Sequence, residues 1–424
     1  MLPPTNDRPP ATRRVLLVVG VVALIVAGGV VADNLFFRDR PPPVDFTAFW
    51  SAGRLNAEGT NPYDPVAVRS TQRGIGHEAD AAVMMWNPPW VLTLVMPFGL
   101  LPFRTAYGFW ALTHLALVLG SAELLWRGFT PSGTFRGQRW VAYLITLTFV
   151  PTTYLIGIGQ ITAVVLAGLA GFLVLRQCGR PFLAGAAAAV TAAKPHLLTL
   201  FAAWLLLDVF GGRAGRWVVL GGILVGVVMC IPPTLSNADV WVQYQVAVAA
   251  PADADHISVK DWLTPVMASW IRRELPGQPF WVQFVPLVLV VPTFCVWYLQ
   301  QGHRTEPATL LGWVVGVSLL IAPYGAWPFD LVLLLIPVLA TAARVVAAPN
   351  RSAVVTGVVW LTVMNVALMA MMLDRTSSEW YVWVTPWVLV GCGVVQSLAG
   401  RQPFAGTEPA CLVLPSDNVA AGEA

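Results

Sequence analysis

Charge is what this sequence has least of. Asp, Glu, Lys and Arg make up 11 % of its 424 residues, less than half of the roughly 25 % usual in soluble domains. That scarcity excludes an ordinary soluble domain with a solvated surface. No run of Lys or Arg stands out, which excludes the electrostatic footprint of a nucleic-acid binder. The five cysteines (Cys178, Cys230, Cys295, Cys392 and Cys411) are scattered, and no CxxC occurs. Neither a structural zinc nor a disulfide framework is therefore indicated. The histidines form no HxxxH or HExxH, and Asp253-x-Asp255 alone is too little for a metal site. No metal and no resident cofactor are expected. No internal repeat is visible, and repeats are what the paired broken helices of many transporters would leave in a sequence.

Apolar length is what the sequence has most of. Hydrophobic residues are 57 % of the chain, mean hydropathy is +0.68, and there are 19 Trp and 19 Phe. Runs long enough to cross a bilayer, about 17–25 residues each, recur along most of the chain. Backbone groups in hydrocarbon must bond internally, so a spanning chain is helical or a closed barrel. These runs are too long and continuous for barrel strands. The expected fold class is an all-α polytopic membrane protein with about 12 transmembrane helices, at 15–33, 104–126, 139–156, 159–176, 182–194, 196–211, 216–234, 281–300, 307–323, 328–347, 352–373 and 380–399. The first run follows Arg13-Arg14 as a signal peptide would, but no clean small-residue cleavage site follows, so it is read as a retained span. Residues 1–14 form a cytoplasmic tail on this reading, 15–400 the membrane-embedded domain, and 401–424 a disordered cytoplasmic tail.

The Lys/Arg bias orients these spans. Arg127, Arg136, Arg139, Arg176, Arg180, Arg213, Arg216, Arg304, Arg344 and Arg351 fall inside. Asp45, Gln160, Lys194, Tyr324 and Asp330 then collect on the outer face, in the plasma membrane, together with loops 34–85 and 235–280. Segment 84–102 is apolar but short and carries Pro88, Pro89, Pro97 and Pro102. A partial insertion beside a water-filled cavity preserves the parity. Phe46–Glu58 reads as a helix stopped by Gly59-Thr60-Asn61-Pro62, its aromatics suited to lying at headgroup level. Val259–Leu275 is a second interfacial candidate, with Trp262 and Trp270.

Each polar candidate admits two readings. Asp45 is either a base for chemistry or an N-cap of its helix. Gln160, after Gly157 and Gly159, either hydrogen-bonds a polar ligand or caps a helix break. A lysine between apolar runs marks a functional site by default, so Lys194, with His196, suits an anionic phosphate, against a snorkelling role. Asp330 and Tyr324 either bind a ligand or finish a helix. Asp64 in Asn-Pro-Tyr-Asp-Pro is either functional, touching a ligand or pairing with Arg54 or Arg69, or simply a turn residue.

Several motifs recur in a recognisable order: Val44-Asp45-Phe46-x-x-Phe49-Trp50-x-Ala52-Gly53, then Glu58-Gly59-x-Asn61-Pro62-Tyr63-Asp64, then Trp86-Asn87-Pro88-Pro89 leading to Met96-Pro97-Phe98. Gly157-Ile158-Gly159-Gln160, Ala193-Lys194-Pro195-His196, Ala322-Pro323-Tyr324 and Phe329-Asp330-Leu331-Val332 follow. In this order they resemble glycosyltransferase family 87, within the wider class of GT-C-type membrane enzymes. The resemblance implies a GT-C-type fold and a polyprenyl-phosphate sugar as donor, mannose or another hexose, with arabinofuranose a further option. It implies a glycolipid or cell-envelope glycan as acceptor at the outer face, membrane lipids as surroundings, and no nucleic acid. It makes Asp45 the catalytic base and gives Gln160, Lys194, His196, Tyr324, Asp330, Asp64 and Arg54 to substrate binding. This chain departs from the pattern by having Phe329 where Tyr is common, and no histidine in that segment. The rival reading is a polytopic transporter or lipid flippase, with Lys194 and Asp330 along its path. An enzyme requires that Asp45, Gln160, Lys194 and Asp330 converge.

Overall fold

A computed structural model describes residues 43–130, 138–250, 263–275, 277 and 279–400. The span expected at 15–33, both tails, and Asp253, Asp255 and Trp262 lie outside the described residues. All regular structure among the described residues is helical. Six helical stretches are long and apolar enough to cross a membrane: Phe103–Phe129, Arg213–Ser236, Phe280–Gln300, Asp330–Ala347, Arg351–Leu373 and Ser378–Ala399. A seventh counts if Trp140–Thr148 and Val150–Ile158, bent by 64° at Phe149, form one span. Asn365 helps to hold that bend by accepting the Val150 N–H at 2.9 Å.

Four expected spans are shorter than a crossing needs. Thr162–Gln177, Pro181–Ala193, Thr199–Asp208 and Pro307–Ile321 stand where 159–176, 182–194, 196–211 and 307–323 were expected. A crossing takes about 20 residues at 1.5 Å each. Proline and glycine at the ends of these apolar runs cut the helices before that length is reached. Pro89–Gly99 is shorter still, about 16 Å of helix against a hydrocarbon core of about 30 Å. Segment 84–102 therefore does not cross as one helix.

In chain order the elements that position the site are α1 (Val44–Ala57), α2 (Pro65–Arg73), α3 (Leu92–Gly99), α4 (Phe103–Phe129), α5 (Trp140–Thr148), α6 (Val150–Ile158), α7 (Thr162–Gln177), α8 (Pro181–Val190) and α9 (Thr199–Asp208). After them come α10 (Arg213–Ser236), α11 (Val240–Ala249), α12 (Met267–Glu274), α13 (Val285–Gln300), α14 (Pro307–Ile321), α15 (Leu335–Ala347), α16 (Arg351–Leu373) and α17 (Val384–Ala399). The core lies along α7 and α15, most of whose side chains are buried and none fully exposed. By contrast α10, α13 and α16 expose Val227, Val288 and Val363 among many apolar neighbours. A continuous apolar exterior of this kind suits lipid rather than water.

The helix expected at Phe46–Glu58 is α1, and Gly59, at φ 73°, turns the chain out of it. Its position differs from expectation. Phe46, Phe49 and Trp50 are 0–3 % exposed, packed on Phe103, Tyr107 and Trp110 of α4 and its start. They are core residues, and the helix does not lie on a headgroup surface. Hydropathy cannot separate these settings, because an aromatic face suits either. α1 also packs backbone to backbone on α3: a Cβ on Gly99 would come within 2.3 Å of the Arg54 nitrogen. In the second candidate stretch the described helix is only α12, and the Trp270 N–H donates to the Glu379 carbonyl at 3.0 Å.

Candidate active site

Asp45 stands in the first turn of α1, where the helix dipole favours a negative charge. It is not the N-cap. Pro43 holds that position, and no side chain caps the helix. The Asp45 carboxylate instead accepts a hydrogen bond from the Gln160 amide at 3.0 Å, across 115 residues of sequence. The other end of the Gln160 side chain accepts the Ile161 N–H at 2.8 Å. Gln160 is thus fixed at both ends, and its donor is aimed at Asp45.

The Gly159 corner makes this possible. Gly159 ends α6 at φ 76°, and a Cβ there would meet Phe46 Cβ at 2.6 Å. Only glycine allows both that conformation and the close approach of α1. The Trp110 N–H donates to the Gly159 carbonyl at 2.8 Å and braces the corner from α4.

The second half of the site is an ion pair. Lys194 Nζ lies 2.7 Å from Asp330 Oδ1, with side chains 7 % and 1 % exposed. Lys194 stands where the 3-10 turn Thr191–Ala193 ends and Pro195–Leu197 begins. Asp330 opens the 3-10 turn that leads into α15. The hydroxyl of Thr162, at the N-terminus of α7, donates to Asp330 Oδ1, and the Trp327 N–H donates to Oδ2 at 2.9 Å. The Lys194 ammonium also lies 4.7 Å from the centre of the Phe329 ring. Burial and pairing exclude a snorkelling lysine. The Trp-Asn-Pro-Pro motif holds this loop: the Asn87 amide donates to the Ala193 carbonyl at 2.8 Å, and the Trp90 N–H donates to the Ala192 carbonyl at 2.9 Å.

The two halves feel each other. Asp45 is half-buried but closely surrounded by protein, and this desolvation pushes its carboxyl up from 3.8 to about 6. The Lys194 charge and the Gln160 hydrogen bond pull it down, while Asp330 adds a smaller upward push. α1 is not among the six membrane-spanning candidates.

The structure brings Asp45, Gln160, Lys194 and Asp330 together, with His196 beside Lys194. His196 is half-buried and close enough to feel both charges of the pair. Three other candidates stand apart. Asp64 is the N-cap of α2, accepting the Val66 N–H at 3.2 Å. Arg54 pairs with Glu58 at 3.0 Å and lies over the Trp50 ring. Nine residues along α1, it faces away from Asp45, since nine steps of about 100° make two and a half turns. Tyr324 is 41 % exposed and packs on Phe280 and Phe284. Thr162 and Trp110 were missed by sequence reasoning. A hydroxyl two residues after Gln160, opening an apolar helix, was the one available signal for Thr162; nothing local marks Trp110. Among the described residues no group of three His, Cys, Asp or Glu gathers to hold a metal.

A helical membrane fold with a half-buried acid, an amide aimed at it and a neighbouring ion pair defines a polytopic membrane protein with a chemically equipped site. The model of glycosyltransferase family 87 matches residues 86–323, more than half of the chain, and the protein belongs to that family. It is a membrane glycosyltransferase. No curated protein matches the chain. The matched segment contains Gln160, Lys194 and His196; Asp45 and Asp330 lie beyond its ends and join the site through geometry.

Proposed function

We propose that this glycosyltransferase moves a sugar, mannose or another hexose, from a polyprenyl-phosphate donor to a glycolipid or envelope glycan at the outer face of the plasma membrane. Asp45 is the general base. The observation that carries the proposal is the Asp45 carboxylate held by Gln160 at 3.0 Å, beside the Lys194–Asp330 pair. Asp45 takes the proton of an acceptor hydroxyl while that oxygen bonds to the anomeric carbon. The bond from that carbon to the phosphate oxygen breaks, and its electrons leave with the lipid phosphate. One carboxylate suffices, because the phosphate needs no acid to depart, and attack opposite the leaving group inverts the anomeric centre.

Lys194 and His196 are assigned to the donor phosphate. An ammonium has three N–H donors, and Asp330 takes one. The ion pair fixes the lysine and leaves donors for phosphate oxygens. The start of α7, beside Thr162, adds the partial positive charge of a helix N-terminus. Gln160 positions Asp45 and keeps its carboxylate turned toward the site. Asp330, bonded by Thr162, Lys194 and Trp327, acts on this reading by positioning Lys194. The short broken helices around this cluster and the longer apolar helices elsewhere are assigned to a GT-C-type fold.

The test is transfer of labelled sugar from polyprenyl-phosphate mannose to lipid or glycan acceptors in membranes carrying the protein. Incorporation above control membranes supports the donor class. Incorporation from a nucleotide sugar, with polyprenyl-phosphate sugars inert across a panel of hexoses and arabinofuranose, would overturn it.

A further inference from the structure

A second polar cluster lies at the other end of α7. Thr162 opens that helix at the Asp330 pair and Arg176 stands in its last turn, fourteen residues on. At 1.5 Å per residue the two ends are about 21 Å apart. Arg176 pairs with Asp208 at the end of α9, and the Tyr298 hydroxyl of α13 donates to the other Asp208 oxygen at 2.9 Å. These groups border a cavity of about 380 Å³ that Trp204, Leu207, Phe210, Leu299 and His303 also line. That volume falls within the range of small-molecule sites, roughly 300–1,000 Å³.

Three features say what the cavity takes. The first is hydrogen-bonding capacity. A guanidinium carries five N–H donors in a fixed fork. Only Nη1 of Arg176 meets an acceptor among the described residues, and the guanidinium carbon lies 5.5 Å from the Trp204 ring centre and 5.8 Å from that of Phe172. The remaining donors suit the oxygens of a phosphate ester. The second is the charge of the surroundings. Exposed Arg213 and Arg304 stand two and one residues from the lining residues Gly211 and His303. Asp208 lines the cavity but is paired with Arg176 and bonded by Tyr298, and Glu306, the next acid along the chain from His303, is engaged electrostatically with Arg344. The third is the rim. Phe210 is 83 % exposed and Leu299 58 % exposed, an apolar edge suited to a hydrocarbon chain and ill suited to water.

We propose that this cavity binds the phosphate of a membrane lipid, with Arg176 as its principal ligand and the lipid chain over Phe210 and Leu299. It is a lipid site at the other end of α7, about 21 Å from the Thr162 end of that helix. A soluble phosphate ester shares the headgroup chemistry, and the experiment separates the two sources.

Full-length protein, purified in neutral detergent and stripped of lipid, is titrated with phosphatidylglycerol, with inorganic phosphate, and with uncharged diacylglycerol. Bound lipid is read by native mass spectrometry and stability by thermal unfolding. Phosphatidylglycerol is expected to bind and to raise the unfolding temperature, while inorganic phosphate and diacylglycerol do neither. Arg176→Lys keeps a cation facing Asp208 but loses the fork, and Leu207→Trp fills the cavity without touching the ion pair. Each is expected to weaken phosphatidylglycerol binding about tenfold, the loss of one charge-assisted hydrogen bond or its steric equivalent. Should Arg176→Lys fail to fold, Leu207→Trp decides alone, since Leu207 is only partly buried. Unchanged binding in the variants that fold would place the lipid elsewhere and overturn the proposal. Equal stabilisation by inorganic phosphate would overturn the lipid assignment. Neither readout uses sugar transfer, so the result is independent of the donor proposed above.

Discussion

If Asp45 is the base, transfer should fall on the acid side with a midpoint near pH 6, well above the range of an ordinary aspartate. Burial raises this carboxyl from 3.8 to about 6, against the pull of Lys194 and Gln160. Only the ionised form can accept the acceptor's proton. One unit below the midpoint roughly one molecule in eleven is ionised, so kcat/KM at pH 5 should be about tenfold below its value at pH 7. A base with the usual aspartate pKa would lose only about a tenth of its rate over the same interval. The proposed donor, a polyprenyl-phosphate sugar, is a phosphodiester and would not titrate in this window. Unfolding driven by Asp45 cannot imitate the effect. A carboxyl whose pKa is higher folded than unfolded favours the folded state at low pH, and that contribution is lost as pH rises from 3.8 through about 6. The assay is the initial rate at subsaturating donor from pH 4.5 to 8.5, with activity restored on return to neutral pH. Replacing the pair together, Lys194→Met with Asp330→Asn, removes a downward and an upward influence on Asp45. The lysine's is the larger, so the acid limb should move to higher pH. A profile flat down to pH 4.5, or a limb moved to lower pH by the double variant, would refute the reasoning.

Four further outcomes follow from the same geometry. Asp330→Ala leaves Lys194 buried without its counter-ion and should cost about 3–5 kcal/mol, read as a lowered unfolding temperature in detergent; Lys194→Met with Asp330→Asn should recover most of it. Gly159→Ala places a Cβ against Phe46 at a positive φ and should cost about 1–3 kcal/mol while lowering transfer more than a matched loss of stability elsewhere, because Gln160 moves with the corner. Arg54→Ala should leave transfer within about twofold, since surface pairs such as Arg54–Glu58 contribute little. Asp64→Ala should cost about 1 kcal/mol as a lost helix cap and leave KM for the donor unchanged; a large KM effect would return Asp64 to the substrate site.

The sequence marked its polar candidates because they are rare in an apolar chain. Asp45, Gln160, Lys194 and Asp330 stood out against lipid-like surroundings, and the Gly59 and Lys194-Pro195 breaks were legible from local chemistry. Their partners were not. Gln160 reaches Asp45 over 115 residues and Lys194 reaches Asp330 over 136, and no local pattern encodes such pairings. Hydropathy records that Phe46, Phe49 and Trp50 avoid water. It does not record whether protein or lipid surrounds them, which is why α1 reads as interfacial and is found in the core. The same limit governs the four short helices, whose runs are apolar enough to cross but are cut by prolines and glycines. Arg54 and Asp64 shared a loop with Asp45 in the sequence; helical phase and a capping bond take them away from it.

The central claim is that Asp45 removes the acceptor's proton during transfer from a lipid-phosphate sugar. Its most direct test is the rate of labelled-sugar transfer from polyprenyl-phosphate mannose by Asp45→Asn, beside wild type at matched expression and matched unfolding temperature. The amide preserves the shape and cannot take a proton, so transfer should fall by about 10²–10⁴-fold. Transfer near the wild-type rate would remove Asp45 as the base.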